Sequence, residues 1–209
     1  MPYLITMIVH GHGSQLMTTA YIPWVIWALI KLRDLPNLNN YIIFSILVGF
    51  QLQRSHVQIA YYTWMMIGLY ICFELFQEYK YNKSYKWFQY TILGLCTGIL
   101  LSVSLYIPAL NYSKFSTRGA FSGGAGLEYA TQWSFSASEI LTFVIPSYYG
   151  FGGATYWGNM PFTDYPNYMG IIVLVFAIIG LINSKNKIKY FLITTLILSL
   201  LISFGKNLH

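Results

Sequence analysis

Apolar runs of helical length are the feature of this sequence that most limits its fold. Residues 57–76, 87–110 and 190–204 form such runs and contain almost no charged side chains. Charged residues make up 9% of the chain and hydrophobic residues 56%, whereas a soluble domain carries about 25% charged residues. So few charges cannot cover a surface that faces water. The sequence therefore predicts an all-α polytopic membrane protein.

The apolar runs also predict where the chain crosses the membrane, because a helical crossing needs about 20 residues. Within one transmembrane domain we predict a short segment, 41–52, and five full crossings, at about 14–32, 57–76, 87–110, 168–182 and 190–204. Residues 2–9 are typical of the tail of a helix that starts earlier. Together with the abrupt end after the last apolar run, this pattern indicates a fragment of a longer polypeptide.

The positions of the basic residues predict the orientation. The loops 31–40, 77–86 and 183–189 hold most of the Lys and Arg of the chain, and alternating crossings place all three loops on one side. The positive-inside rule makes that side cytoplasmic. The long loop 111–167 is then extracytoplasmic at a bacterial cell membrane. The net charge of +6 is therefore interpreted as a topology signal, and no nucleic acid partner is predicted.

Polar residues interrupt the apolar pattern where the segments 41–52 and 57–76 meet. A cation at this depth usually faces a cavity or an anion, so Arg54 and His56 are candidates for binding a phosphate group. Arg54 is equally explained as a side chain that extends to the lipid headgroups. Gln58 and Tyr62 are four residues apart and share a helix face, which suits either an aromatic belt or contact with a sugar or lipid.

The loop 111–167 contains three of the six carboxylates, Glu128, Glu139 and Asp164. Carboxylates can act as acids or bases or hold a divalent ion. For Glu139 we favour helix capping over catalysis, because it follows Ser136 and Ser138 at the start of a predicted short helix near residues 139–145. The glycine-rich stretch 119–126 lacks the Gly-Lys-Ser/Thr ending of a phosphate-binding loop and is interpreted as a flexible loop.

Histidine and cysteine give little support for a cofactor. His10 and His12 form a pair that suits a metal ion, but with no third ligand at metal spacing we interpret them as interfacial polar residues. No cofactor is predicted, and a divalent metal has no support beyond this pair. Cys72 and Cys96 match no metal or redox spacing, so we expect both cysteines to be buried and to pack as small hydrophobic side chains.

An ordered set of short motifs resembles the YfhO family of bacterial membrane proteins, which is similar to GT-C-type glycosyltransferases. Each motif is weak alone, but the set follows the order of the family and spans nearly the whole sequence. The motifs lie at residues 11–12, 18–23, 56–62, 116–119, 128–134, 139–141, 145–150, 156–158, 168–170 and 204–207.

The resemblance implies a glycosyltransferase that takes a sugar from a polyprenyl phosphate and transfers it to a glycan or lipid acceptor outside the cytoplasm. It also implies a catalytic carboxylate upstream of these residues, so the base is unknown. Gly13 and Gln15 depart from the acidic residue and Lys that the family often has there. The residues predicted to bind substrate are Arg54, His56, Gln58, Tyr62, Arg118, Glu128 and Trp133. A transporter or flippase for lipid-linked glycans and a non-catalytic assembly subunit are the alternatives.

Overall fold

The structure of the chain is a computed structural model, and it consists mainly of helices. It describes residues 2–81, 85–115, 126, 128, 131–150, 152–161, 163 and 167–208. Helices make up most of these residues, and no β-strand occurs among them, which confirms the all-α class. The chain divides into two compact units. One comprises Gly13–Ser116, and the other comprises Met1–His12 with Thr117–His209.

The unit Gly13–Ser116 is a bundle of helices. After helix α1 (Pro2–Val9), which belongs to the other unit, the bundle contains α2 (Gly13–Asp34), α3 (Leu38–Gln53), α4 (Val57–Tyr81) and α5 (Lys86–Ser113). Asn37 starts α3 by accepting a hydrogen bond from the Asn40 amide, at 2.9 Å, with its side-chain oxygen, the usual role of Asn before a helix. Helix α3 packs against α2 and α5.

The contact between α3 and α5 depends on small residues spaced four apart. Gly94, Gly98 and Ser102 are buried on one face of α5, and Phe44 and Val48 of α3 are fully buried against this face. A Cβ atom at Gly98 would lie 2.5 Å from Cγ1 of Val48, and one at Gly94 would lie 2.6 Å from Cδ1 of Phe44. Small residues at this spacing allow membrane helices to approach closely.

Polar side chains also connect the helices of this unit. The side-chain amide of Gln51 in α3 donates to the Thr18 carbonyl of α2, at 3.3 Å, and to the Thr63 hydroxyl of α4, at 2.9 Å. Arg33 of α2 forms an ion pair with Glu74 of α4, with 2.7 Å between Nη2 and Oε2. These contacts give partners to the Gln51 amide nitrogen and to both charged groups, which would be costly to bury alone. The side-chain oxygen of Gln51 is buried and has no hydrogen-bond partner among the described residues.

The described residues of the second unit include α1, two longer helices and parts of the connection that precedes them. The longer helices are α6 (Ile171–Asn183) and α7 (Ile188–Phe204), and short 3₁₀ helices cover Ala137–Phe143, Gly153–Thr155 and Gly205–Asn207. The end of α7 is bound to the connection, because the Phe135 amide donates to the Ser203 carbonyl at 2.8 Å. The Asn207 amide group donates to the carbonyls of Ser134 and Phe135, at 3.0 and 3.1 Å.

Three helices among the described residues are long and apolar enough to cross a membrane, namely Val57–Gln77, Lys86–Ser113 and Ile188–Asn207. They correspond to the predicted crossings 57–76, 87–110 and 190–204. The predicted segments 14–32, 41–52 and 168–182 form the helices α2, α3 and α6, which are not among these three. Helix α6 is apolar but has only 13 residues, about 20 Å at 1.5 Å per residue. That α2, α3 and α6 also lie in the membrane stays a prediction.

Two local predictions have clear outcomes. The predicted short helix near residues 139–145 is confirmed as the 3₁₀ helix Ala137–Phe143, which starts two residues earlier because Ser136 caps it. The expected burial of Cys72 and Cys96 is wrong, since both thiols are exposed on the surface of the unit. Apolar sequence does not imply burial in a membrane helix, because lipid covers apolar outer surfaces.

The helix contact at Gly98 gives a stability prediction. We expect Gly98→Ala to lower the thermal stability of the purified protein, because the added methyl group overlaps Val48 and overpacking costs about 1–3 kcal/mol. Gly68→Ala in α4 is the matched control, since a Cβ atom there would meet no atom within 4 Å. Thermal unfolding in detergent measures both variants. A Gly98→Ala variant as stable as the Gly68→Ala variant would contradict the close packing of α3 and α5.

Candidate functional site

The turn between α3 and α4 brings Arg54 and His56 together at the start of a membrane-length helix. Arg54 follows the last residue of α3, and its amide donates to the Gln51 carbonyl at 3.2 Å. Ser55 then adopts a φ of 66°, an uncommon conformation for a residue other than glycine. Nδ1 of His56 lies 3.4 Å from the Ile59 amide of the first turn of α4. Three residues thus connect α3 to α4.

The Arg54 side chain has a hydrogen-bond donor that the described residues do not satisfy. Its side chain is half-buried, and its Nε is buried with no hydrogen-bond partner in the part of the chain that the structure describes. A buried N–H without an acceptor costs about 1–3 kcal/mol, and more when the group is charged. An anion bound by the guanidinium group would satisfy this donor.

The first turns of α4 carry the other two predicted residues of this site. The amide of Gln58 donates to the Tyr62 hydroxyl at 2.8 Å, which confirms that the two side chains share a face. Both side chains are exposed, and the Tyr62 ring lies 6.1 Å from that of Tyr61. The structure therefore places Arg54, His56, Gln58 and Tyr62 in a single turn and helix start.

The remaining predicted residues are not placed in this turn. Glu128 is exposed, and Trp133 is 38% exposed; both belong to the second unit. Arg118 and Asp164 lie outside the described residues. Among the described residues, no three His, Cys, Asp or Glu side chains lie together in a group that could hold a metal ion.

Glu139 forms a second polar centre, in the connection before α6. Its carboxylate is 2% exposed and accepts hydrogen bonds from the Ser136 amide at 2.8 Å and the Ser136 hydroxyl at 2.9 Å. These contacts form a capping box at the start of the 3₁₀ helix, the reciprocal arrangement that satisfies unpaired amides at a helix start. The predicted capping role of Glu139 is confirmed, and of the two candidate caps, Ser136 and Ser138, the structure places Ser136 at the N-cap.

Tyr156 makes a further contact that capping does not require. Its hydroxyl donates to Oε1 of Glu139 and accepts a hydrogen bond from the Met160 amide at 3.0 Å. Burial and the neighbouring Glu139 carboxylate raise the pKa of Tyr156 to about 12, since both disfavour the negatively charged phenolate. Tyr156 therefore stays a hydrogen-bond donor to Glu139 at neutral pH.

Glu139 and Tyr156 border a small pocket within the second unit. Its polar lining comes from Glu139, Thr142, Tyr149, Tyr156, Thr163 and Asn167. The Tyr149 ring is packed against the Trp157 ring, with 4.5 Å between their centroids. Gly150 adopts a φ of 85°, and a Cβ atom there would lie 1.9 Å from the Thr155 carbonyl oxygen. Only glycine fits at this corner of the pocket.

The sequence indicated Glu139 as a cap but gave no partner for it. Tyr156 lies in a stretch where aromatic residues alternate with glycines, and this pattern indicates no partner for its hydroxyl. Glycine at position 158 leaves room for the Tyr156 side chain, since a Cβ atom there would lie 2.3 Å from the Tyr156 hydroxyl oxygen. That proximity requires the folded structure and does not follow from spacing alone.

Comparison of this chain with family models, with curated proteins and with solved structures finds no match.

The Tyr156 contact gives a prediction for the pH dependence of stability. The folded pKa of about 12 lies above the ordinary value of 10.0. The folded protein therefore holds this proton more tightly, and the resulting stability is complete below pH 10 and is lost between pH 10 and about 12. We expect Tyr156→Phe to be less stable than the wild type at pH 8, because Glu139 loses a donor, and the difference to shrink as the pH rises through that window.

Thermal unfolding of both proteins between pH 8 and pH 12 measures this difference. Tyr148→Phe is the control, since no hydrogen bond from the Tyr148 hydroxyl to a carboxylate occurs among the described residues. A constant difference between Tyr156→Phe and the wild type across the whole range would contradict the raised pKa.

Proposed function

We propose that this chain is part of an integral membrane glycosyltransferase that binds a polyprenyl-phosphate-linked sugar. The proposal rests on the ordered motifs that resemble the YfhO family and on three helices of membrane-spanning length. Its single most important support is Arg54, a half-buried cation whose Nε makes no hydrogen bond among the described residues. In this proposal all six predicted segments lie in a bacterial cell membrane and adopt a GT-C-like arrangement.

The position of Arg54 suits a lipid phosphate. Helix α4 begins three residues later and is one of the three membrane-length helices, so Arg54 lies at the end of a crossing, where the phosphate of a lipid lies. A guanidinium group can bind two phosphate oxygens at once. The start of α4 adds the partial positive charge of a helix N-terminus. Gln58 and Tyr62 follow Arg54 by four and eight residues, in the first turns of α4, where they would contact the isoprenyl chain or the sugar.

The proposed chemistry assigns donor binding to this chain. When the sugar leaves a lipid phosphate, the negative charge remains on the phosphate, so a cation bound to it stabilises the leaving group. The acceptor hydroxyl also needs a base. Glu139 is poorly suited to that role, since its carboxylate already accepts two hydrogen bonds from Ser136 and one from Tyr156 and caps the 3₁₀ helix. We therefore assign no catalytic base among the described residues.

Transport of a lipid-linked glycan, the main alternative, has less support. A transport path needs ionisable groups that face it within the membrane. Glu74 is the clearest candidate of this kind, but it is paired with Arg33 at 2.7 Å and its side chain is only 10% exposed. An acid already neutralised by an arginine is a structural contact and does not indicate a path.

Arg54→Ala tests the proposed function. We expect it to weaken binding of a polyprenyl-phosphate sugar about 10- to 100-fold, since hydrogen bonds to charged groups contribute about 1.5–3 kcal/mol. Lys114→Ala is the matched control, because Lys114 is an exposed cation after α5. The predicted crossings place the turn at Arg54 outside the cytoplasm, like the loop 111–167 that contains Lys114. Binding to the protein in lipid nanodiscs is measured by microscale thermophoresis with a fluorescent short-chain donor.

Two results would contradict the proposal. One is donor binding that Arg54→Ala and Lys114→Ala reduce equally, since this indicates general attraction of an anion to a basic protein. The other is movement of a lipid-linked glycan across proteoliposomes by a protein that shows no affinity for the isolated donor, which would favour transport.

A further inference from the structure

The Glu139 carboxylate retains capacity to accept one more hydrogen bond. An ionised carboxylate accepts about four hydrogen bonds, and Glu139 receives two from Ser136 and one from Tyr156. Glu139 also borders the small pocket. No cation forms a salt bridge with it in the portion of the chain that the structure describes. A group that enters the pocket thus meets a buried carboxylate with a free acceptor position.

Asn167 adds a second recognition group to the same pocket. Its side chain is half-buried and borders the pocket, and it makes no hydrogen bond to any described residue. An amide group can both donate and accept. A hydroxyl group is the chemical partner that suits both residues. Its O–H can donate a hydrogen bond to the Glu139 carboxylate, while its oxygen can accept one from the Asn167 amide. Polar groups of this kind beside an aromatic wall give a pocket both affinity and orientation.

The aromatic wall is held in place by its neighbours. The ring of Tyr149 contacts those of Tyr148 and Trp157, with centroid distances of 5.0 and 4.5 Å. A fixed ring gives a flat apolar surface that loses little conformational entropy on binding. The C–H face of a sugar ring is apolar while its hydroxyl groups are polar, so it matches a tyrosine ring beside a carboxylate and an amide.

From these contacts we propose that the pocket bordered by Glu139, Tyr149 and Asn167 binds a hydroxyl-bearing arm of a sugar. This inference rests on the proposed function and names a second binding position for its substrates, separate from the phosphate at Arg54. The pocket is small, so it takes one hydroxyl or hydroxymethyl group while the rest of the sugar ring stays outside. Glu139 acts here as a binding residue, and the proposal includes no proton transfer.

Saturation-transfer difference NMR of the full chain in lipid nanodiscs tests this pocket. The probe is methyl α-glucopyranoside, and the comparison ligand is the same sugar with all four hydroxyl groups methylated. We expect saturation transfer to the first sugar only, because the methylated sugar has no O–H donor for Glu139. We expect Asn167→Ala to weaken binding about fivefold, the effect of losing one hydrogen bond of about 1 kcal/mol.

Asn159→Ala is the matched control, since Asn159 is an exposed asparagine of the same connection and does not border the pocket. Binding by this variant should equal that of the wild type. Asn167→Ala is preferred to a Glu139 variant because the Asn167 side chain makes no hydrogen bond to a described residue, whereas replacing Glu139 also breaks the capping box. Thermal unfolding of both Asn variants confirms that the fold is intact.

Three results would overturn the sugar pocket: no saturation transfer to the wild type, equal binding by the two Asn variants, or displacement of the sugar by an equal concentration of ethylammonium. The last would assign the pocket to a cation. In each case Arg54-dependent binding of the lipid-phosphate donor remains a separate measurement. Loss of the sugar pocket with donor binding retained overturns this inference alone, and loss of donor binding with the pocket retained overturns the proposed function.

Discussion

A polar group surrounded by apolar side chains or lipid must find its hydrogen-bond partner within the protein, and most of this structure follows from that constraint. It favours helices, which satisfy their own backbone. It explains why Gln51 bridges α2 and α4 and why Arg33 pairs with Glu74. In the second unit it explains the donors around Glu139. Among the described residues, three buried polar atoms find no partner, namely Oε1 of Gln51, Nε1 of Trp64 and Nε of Arg54. Only the atom of Arg54 belongs to a charged group.

The two candidate sites differ in how they meet this constraint. Arg54 is a cation with a buried donor that is not satisfied among the described residues, so it suits an anionic ligand. Glu139 is an anion stabilised by three donors that keeps one acceptor position, so it suits a neutral hydroxyl. A sugar linked to a lipid phosphate contains both kinds of group. This chemical match is the reason that we propose one class of ligand for both sites.

The sequence predicted features that depend on local chemistry and composition. Charge content and apolar runs were sufficient for the helical class and for three membrane-length helices. The spacing of Ser136 and Glu139 predicted the cap, and the spacing of Gln58 and Tyr62 predicted their shared face. Each of these features involves residues close together in the chain, so helix geometry alone relates them.

Features that depend on folding across long separations were missed. The contact of Tyr156 with Glu139 joins residues 17 positions apart in an irregular connection, where no period relates one side chain to another. The packing of α5 on α3 had a visible signal in Gly94 and Gly98, four residues apart, but the partner helix was not evident from it. Cys72 and Cys96 were misplaced because hydrophobic sequence does not distinguish a protein core from a lipid-facing surface.

The topology predicted from the sequence places the Arg54 turn and the Glu139 connection on the same side of a membrane, opposite the basic loops. Its most direct test is labelling of single cysteines in intact bacteria with a membrane-impermeant maleimide, after Cys72 and Cys96 have been replaced by alanine. The account predicts that Ser55→Cys and Asn159→Cys react from outside, and that Leu35→Cys reacts only after the membrane is permeabilised. Reaction of Ser55→Cys and Asn159→Cys from opposite sides would contradict it, because the predicted crossings place both positions outside.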